Sequence, residues 1–326
     1  MCYDVVGLGA PVVDQVLLVS EEFLSTVCGE KGGQVPIDYA TLREIIDSSE
    51  KIPKMFPGGS STNTIKGLGN LGRKCALIGM IGSDKEGENF STSLLDLGIV
   101  PLLAKSPSSP TSQVLCMVTP DGERTMRSYL AASTEMTCND LSDKDFKKIK
   151  LLHVEGYGVY NMSLLLSAMD FAKEEGAKIS LDLASFEVVQ QFKREFLDIL
   201  DSYVDVVFAN EKEVDVLFGL GEKKSCQELA KLCEVAVVLM GGDGCYVSEG
   251  SFLHHCPAFT VPCVIDSTGA GDLFAGGFLH GYLGGIELEE CARYGALLGA
   301  EVIQSQGAEI PLQNWEKLQA QILSFT

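Results

Sequence analysis

The chain is short of positive charge. Lys and Arg total 25 against 45 Asp and Glu in 326 residues, a formal net charge of −20. A broad basic face for nucleic acid or an anionic membrane is thereby excluded. A nucleotide is not, because Mg²⁺, helix N-termini and one or two basic groups neutralise phosphates locally. No apolar run approaches the roughly 20 residues a membrane-spanning helix needs. The cysteines number 11, from Cys2 to Cys291, with no C-x-x-C pair among them. No signal peptide stands before the first strand, so reduced thiols in a cytoplasmic enzyme are expected. A G-x-x-x-x-G-K-[ST] run is missing, which removes a P-loop. Gly7-Leu8-Gly9 follows a strand, but Val12 stands where a dinucleotide fingerprint needs its third glycine, and this disfavours an NAD-dependent oxidoreductase. Internal repeats and low-complexity segments are absent.

What is present suits a large α/β protein. Hydrophobic residues make up 46%, enough for a sizeable core. From residue 151 the pattern alternates strand and helix. Strands are expected at Leu151–Val154, Lys178–Leu183, Val204–Ala209 and Val235–Met240. Helices are expected at Ser163–Glu175, Phe186–Leu200, Glu211–Phe218 and Ser225–Cys233. Runs such as VDVVFAN and VAVVLMG fit strands buried on both faces of a largely parallel sheet. Two short antiparallel strands, Gly244–Ser248 and Phe252–His255, and two core helices, Gly271–Leu283 and Leu288–Gln304, complete this half. Earlier come strands at Val5–Gly9, Val12–Val19 and Cys75–Met80, and helices at Thr41–Ser49, Ser60–Leu71 and Glu86–Leu97. A hairpin at Val114–Leu130 turns on Pro120-Asp121-Gly122-Glu123. The early strands and this hairpin break the alternation and suit a small separate sheet.

The most informative segment is Asp266-Ser267-Thr268-Gly269-Ala270-Gly271-Asp272. It stands directly before the apolar stretch Leu273–Leu279, which reads as a buried helix. Small residues at a helix N-terminus leave backbone N–H groups and the dipole free for an anion. A carboxylate beside such a cradle is placed to take a proton from a hydroxyl. Cradle plus base is what phosphoryl transfer to an alcohol requires.

Four further segments admit two readings each. Gly58-Gly59-Ser60-Ser61-Thr62-Asn63 opens a helix, either as an ordinary cap or as a close backbone approach to a polar ligand. Asn210 and Glu213 have capping-box spacing, yet stand after a parallel strand, where α/β sites collect and Mg²⁺ can be held directly or through water. Gly241-Gly242-Asp243-Gly244 is a tight turn or a phosphate-touching nest. Gly79–Gly87 reads as a strand-to-helix turn with Asp84 as cap. His254-His255-Cys256 alternates across a strand and makes a poor metal set.

In this order the motifs resemble the ribokinase-like, or PfkB, carbohydrate kinase family. GGSSTNTIKGLGNLG followed by GMIGSD is similar to its first signature and DSTGAGDLFAGGF to its second. FLSTVCGEKGGQVPID, GERTMRSYLAAS and SLDLASFEVVQQFKREFLDILDSYVDVVFANEKE resemble the adenosine kinase branch. The resemblance implies a three-layer α/β/α fold with a mostly parallel sheet, one domain over residues 1–326, and a small β-sheet lid from about 14–37 and 110–131. It implies Asp272 as base, an anion hole from the N–H groups of Gly269, Ala270 and Gly271, and Arg124 as a lid arginine neutralising transferring charge. Asp14, Gly58, Gly59 and Asn63 would bind substrate hydroxyls. Asn210, Gly242, Gly244 and Thr268 would approach ATP, and Asn210 with Glu213 would position Mg²⁺. Asp266 and the loop near Gly307 would frame a monovalent cation such as K⁺. Ala10 departs from the branch, which has asparagine there to reach a purine edge. The implied activity is ATP-dependent phosphorylation of a primary hydroxyl on a nucleoside or a sugar such as ribose or fructose, by a monomer or a homodimer joined through the lid. A ligand-sensing member without catalysis is the alternative of another class.

Overall fold

The computed structural model describes residues 3–325. Its strands are β1 (Val5–Leu8), β2 (Val12–Leu18), β3 (Gln34–Pro36), β4 (Lys54–Gly58), β5 (Cys75–Gly82), β6 (Val100–Ser106) and β7 (Ser112–Val118). They continue with β8 (Arg124–Tyr129), β9 (Leu151–Glu155), β10 (Lys178–Asp182), β11 (Val206–Asn210), β12 (Val235–Leu239), β13 (Cys245–Glu249) and β14 (Phe252–Cys256). Nine of them form one sheet in the order β14-β13-β12-β11-β10-β9-β1-β5-β6. All its pairings from β12 to β6 are parallel; β13 and β14 close one end antiparallel.

Neighbouring residues of each buried strand face opposite layers. Val6, Leu152, Val207 and Ala236 pack with Leu165, Phe196, Val214 and Leu229 from the helices of residues 162–229. Val5, Leu151, Val206 and Val235 pack with Ile65, Phe90, Phe274 and Cys291 from helices Ser60–Asn70, Lys85–Asp96, Ala270–Tyr282 and Leu288–Val302. Apolar continuity along the strands thus gives the three-layer α/β/α arrangement. The ten described cysteines are unpaired, and Cys2 lies outside the described residues. No described helix is long and apolar enough to cross a membrane.

A second sheet runs β3-β8-β7-β2-β4. Of the early strands it takes only Val12–Leu18, with the hairpin, β3 and Lys54–Gly58, which pairs antiparallel with β2; Val5–Leu8 and Cys75–Gly82, expected there too, lie instead inside the large parallel sheet. Its two faces differ. One carries Leu17, Leu115 and Met117 and is covered by Leu24 of helix Glu21–Ser25 and by Leu42, Ile45 and Ile46 of helix Tyr39–Ser48. The other carries Val12, Val16, Val114, Cys116 and Val118, flanked by Ala10, Phe56, Met126 and Leu130.

Several expectations need correction. The helix expected over Phe186–Leu200 is broken at Phe192 into Phe186–Gln191 and Lys193–Ser202. A third terminal helix, Leu312–Phe325, follows the two foreseen and buries Trp315, Leu318 and Ile322. Strands β4 and β6 were not foreseen; each contains a proline, Pro57 or Pro101, and each lies at a sheet edge, where a missing N–H costs no ladder bond. Asp84 caps its helix by accepting from Gly87 N at 2.9 Å, and it also accepts from Thr111 N at 2.7 Å, tying that helix to the start of β7.

Helix Ala270–Tyr282 is held by glycine contacts on two sides. A Cβ on Gly276 would lie 3.1 Å from the Thr64 carbonyl oxygen in helix Ser60–Asn70. A Cβ on Gly277 would lie 2.6 Å from the Tyr294 carbonyl oxygen and 2.9 Å from Gly295 N in helix Leu288–Val302. The second obstacle is backbone and cannot rotate away. Gly277→Ala is expected to lose about 1–3 kcal/mol to overpacking despite the roughly 1 kcal/mol that alanine gains in a helix interior. Urea unfolding of the two proteins measures this, and an unchanged or raised midpoint would show that the helices separate at no cost.

Candidate active site

The segment 266–272 folds back on a buried carboxylate. Asp266 is fully buried; its Oδ1 accepts from Thr268 N at 2.9 Å and Thr268 Oγ1 at 2.6 Å, and its Oδ2 accepts from Gly307 N at 2.8 Å. Gly269 is the N-cap of helix Ala270–Tyr282 with φ 77°, and a Cβ there would overlap Ala308. Left-handed backbone with no room for a side chain restricts this position to glycine. The turn leaves N–H groups pointing out of the helix start. Ala270 N makes one long bond, 3.3 Å to Ser267 O; no acceptor among the described residues bonds Gly269 N or Gly271 N. Gly271 packs beside Leu239, at the carboxyl end of β12.

Helix Ser60–Asn70 begins at the same place. Asp272 Oδ1 accepts from Ser60 Oγ at 2.8 Å and Oδ2 from Asn63 Nδ2 at 2.8 Å, while Thr64 Oγ1 donates to the Asp272 carbonyl at 3.1 Å. Burial pushes the Asp272 carboxyl upward; the bonds from Asn63 and Ser60 and the Arg124 charge oppose this. Gly59 has φ 106° and lies against the Ala10 carbonyl. Gly58 lies against Asp14, and a Cβ there would overlap Asp14 Oδ2. Asp14 is buried, and desolvation first of all raises its pKa to about 7. Asn63 is buried too, and its Oδ1 lacks a protein partner.

Two carboxylates at strand ends escaped the sequence reading. Glu155, last in β9, accepts from Ala10 N at 2.8 Å through Oε1 and from Ser61 N at 3.0 Å through Oε2. It caps helix Ser60–Asn70 and holds the β1–β2 turn onto it. Gly7 and Gly9 serve the same close approach: a Cβ would lie 2.5 Å from Ile65 at Gly7 and 2.6 Å from Glu155 Oε2 at Gly9. Asp182, last in β10, accepts from Ala184 N at 2.8 Å and holds Ala184 at φ 69°. Burial raises both carboxyls to about 7. An acidic residue ending an apolar strand was the available signal, since such positions line α/β sites.

Asn210 and Glu213 form the capping box. Glu213 N donates to Asn210 Oδ1 at 3.0 Å, and Glu213 accepts from Asn210 N at 2.8 Å and Asn210 Nδ2 at 2.7 Å. Burial, then the charge of Asp182, raises the Glu213 carboxyl to about 8. Gly242 is exposed at the end of β12 with open space around it. Gly244 is glycine for another reason, since a Cβ would overlap the Cys256 carbonyl. His255 Nε2 contacts the Asp243 carbonyl at 2.9 Å and His254 Nδ1 contacts Glu289 at 3.3 Å, so the two histidines diverge.

Beyond Asp14 and Gly58, two further contacts join the second sheet to this region. Gly122 in the β7–β8 turn accepts from Ser267 N at 3.3 Å. Gln34 in β3 accepts from Tyr157 Oη at 2.6 Å and donates to Ser128 Oγ at 2.8 Å. Arg124 begins β8, and its charge acts on Asp14, Asp182 and Asp272 alike. Asp14, Gly58, Gly59, Asn63, Arg124, Thr268, Gly269, Ala270, Gly271 and Asp272 therefore converge. Asn210 and Glu213 join them through Asp182, and Gly242 through the end of β12.

The raised carboxyls set the pH response of the ligand-free protein. Asp14, Glu155 and Asp182 rise to about 7 and Glu213 to about 8 from ordinary values of 3.8 and 4.5. Between those limits the folded protein binds more protons than the unfolded chain, so stability falls as pH rises. Thermal unfolding followed from pH 5 to pH 8 should give a declining midpoint, and one that climbs steadily would contradict the buried, unpaired state of these groups.

Comparison with known proteins follows the same lines. The model of the pfkB family carbohydrate kinases matches residues 33–315. An adenosine kinase structure from Sinorhizobium meliloti is 30% identical, covers 98% of this chain and 99% of its own, and superposes with a TM-score of 0.94. A probable sugar kinase from Rhizobium etli CFN 42 is 30% identical with the same coverage and a TM-score of 0.93. A cytidine kinase from Thermococcus kodakarensis is 28% identical over 262 residues, 77% of this chain and 89% of that protein. Matched by the family model over residues 33–315 and sharing its fold almost end to end with a 30% identical adenosine kinase structure, the chain belongs to the pfkB family of carbohydrate kinases and is an ATP-dependent kinase.

Proposed function

We propose that the chain phosphorylates the primary hydroxyl of a nucleoside, adenosine being the first candidate, by in-line transfer from ATP. The observation that carries the nucleoside is the apolar face of the second sheet. Val12, Val114 and Cys116, with Ala10, Met126 and Leu130 at their margin, share the face that carries Asp14. A free sugar presents hydroxyls all round and matches such a wall poorly; a base with its ribose presents one apolar plane and one polar rim. The names of the Sinorhizobium and Thermococcus relatives agree with this choice. Ala10 brings no side-chain hydrogen bond to the base, so discrimination between bases falls to other groups.

Asp14, Gly58, Gly59 and Asn63 would hold the ribose hydroxyls, with the Asn63 Oδ1 still lacking a partner. In the transfer the acceptor O–H gives its proton to Asp272. Its oxygen bonds to the γ-phosphorus as the bond to the β–γ bridging oxygen breaks, and ADP leaves. Charge growing on the moving group would meet the N–H groups of Gly269, Ala270 and Gly271 and the Arg124 guanidinium. Asn210, Gly242, Gly244 and Thr268 would face ATP.

Mg²⁺ fits the donor set. It favours oxygen ligands and keeps several waters, using one or two carboxylates and substrate phosphates. Asn210 and Glu213 offer such oxygens beside Asp182, and among the described residues no group of three or more acidic, His or Cys residues is arranged to enclose a metal. A bound Mg²⁺ would supply charge neutralisation on the triphosphate. The Asp266–Gly307 junction is the proposed place of a monovalent cation. The second sheet is the proposed lid. Its face bearing Leu17, Leu115 and Met117 is covered by the chain's own Leu42, Ile45 and Ile46, which supports a monomer. A cytoplasmic setting accords with the unpaired cysteines.

Asp272→Asn should lower kcat by about 10²–10⁴, the usual share of general base catalysis, while ATP affinity by calorimetry stays level. Near-normal turnover would remove Asp272 from the chemistry. An ADP-release panel of adenosine, cytidine, ribose and fructose tests the acceptor; preference for a free sugar would reject the apolar-wall assignment. Light scattering should give a mass near 35.0 kDa, and a value twice that would restore pairing between copies.

A further inference from the structure

Lys66 is a cation in a place where lysine seldom goes. It lies in helix Ser60–Asn70 with 7% of its surface exposed. Its ammonium donates to Glu309 Oε1 at 2.7 Å and to the Pro57 carbonyl at 3.1 Å. A buried ammonium carries a desolvation cost that its partners must offset, so such a group is retained where its charge or its bonds serve something.

Both partners lead to the site. Pro57 precedes Gly58, and β4 pairs with β2 so that Val13 opposes Pro57 and Asp14 opposes Phe56. Gly58 is the residue whose α-carbon abuts the Asp14 carboxylate. Holding the Pro57 carbonyl therefore fixes the backbone that Asp14 leans on. Glu309 ends the segment that begins with Gly307 N bonded to Asp266 and continues with Ala308 packed on Gly269. Gly307 itself lies against the Phe56 ring, 2.9 Å from where its Cβ would be. One ion pair thus spans the strand beside Asp14 and the loop beneath the helix start at Gly269.

We propose that the pair of buried Lys66 with half-exposed Glu309 is a positioning element for the Asp14 carboxylate, setting its place and charge for the acceptor hydroxyls and joining that subsite to the glycine turn at 269. The proposal rests on the assignment of Asp14 to the acceptor. Around Asp14 stand Lys66 and Arg124 as cations, Asp272 and Asp266 as anions, and the buried Cys116 thiol on the neighbouring strand. Among them Lys66 is the strongest influence favouring the ionised carboxylate, after burial, which opposes it. Without Lys66, Asp14 would protonate at higher pH and lose its capacity to accept from two hydroxyls.

The test compares Lys66→Met, Lys66→Arg, Glu309→Gln and Asp14→Asn in steady-state kinetics, with adenosine as acceptor and cytidine if adenosine is not turned over. Lys66→Met should raise the acceptor KM several-fold at neutral pH, where a smaller fraction of Asp14 would be ionised, and change it little at alkaline pH. The ATP KM should change far less. The acid limb of kcat/KM for the acceptor should move to higher pH. Lys66→Arg should restore part of the affinity. Glu309→Gln, at a half-exposed position that leaves the fold intact, should shift the acceptor KM and the limb in the same direction by less. A folded Lys66→Met or Glu309→Gln protein with unchanged acceptor KM and unchanged pH limb, and only a lower melting point, would show a purely structural pair and overturn the proposal. Asp14→Asn separates the two levels. If it raises acceptor KM while the pair variants do not, the pair is refuted and the acceptor assignment stands; if it leaves KM unchanged, the assignment fails and the proposal with it.

Discussion

Two helices start at one point, and the site depends on it. Helix starts repel one another through their aligned dipoles and present unpaired N–H groups, so bringing two together needs anionic oxygens between them. Asp272 supplies one carboxylate, bonded to Ser60 and Asn63 of the opposite helix. Glu155 supplies another at the start of helix Ser60–Asn70, bonded to Ser61 N and to Ala10 N of the β1–β2 turn. Close approach comes from Gly67 and Gly276, where each α-carbon faces the other helix. Replace either glycine with a bulky residue and the carboxylate of Asp272 no longer reaches Asn63.

The consequence is a crowd of buried acids. Asp14, Glu155, Asp182, Glu213 and Asp272 all titrate above their ordinary range, in each case chiefly because burial disfavours the charge. Arg124 and Lys66 are the cations named among their influences. Such a site is electrostatically incomplete by itself. A cation entering with the triphosphate, or hydroxyls donating to Asp14, would lower the cost of ionising these groups, so ligand binding and proton release are coupled.

Much of this was legible in the chain, for local reasons. A loop of small residues before an apolar helix declares itself within seven positions, and Asn210 with Glu213 declares a capping box within four. What stayed hidden depends on partners distant in sequence. Glu155 lies 145 positions from Ala10 and 94 from Ser61, and nothing around it separates a site residue from a turn residue. Lys66 reads as an ordinary surface lysine until Glu309, 243 positions away, is folded against it. The edge strands β3, β4 and β6 carry Pro36, Pro57 and Pro101, which local rules read as strand breakers. Helix Leu312–Phe325, by contrast, carries a local signal, the apolar spacing of Trp315, Leu318 and Ile322.

The same contrast between near and far bears on selectivity. Apart from Arg124, the groups proposed to hold the transferring phosphoryl lie in one continuous turn, so their geometry survives drift elsewhere in the chain. The groups proposed to face the acceptor lie on β2, β4, β7, β8, the first turn of helix Ser60–Asn70 and the turn at Ala10, joined through strand register and through Glu155. A change in any one strand moves the wall of the acceptor space without touching the turn at 269–272. Acceptor preference could therefore diverge while the transfer chemistry is kept, in keeping with structures named for adenosine and for a sugar that share one fold. In this chain the wall at Ala10 is apolar and backbone-held, so under the proposed nucleoside reading shape complementarity, not a side-chain hydrogen bond from position 10, would choose the base.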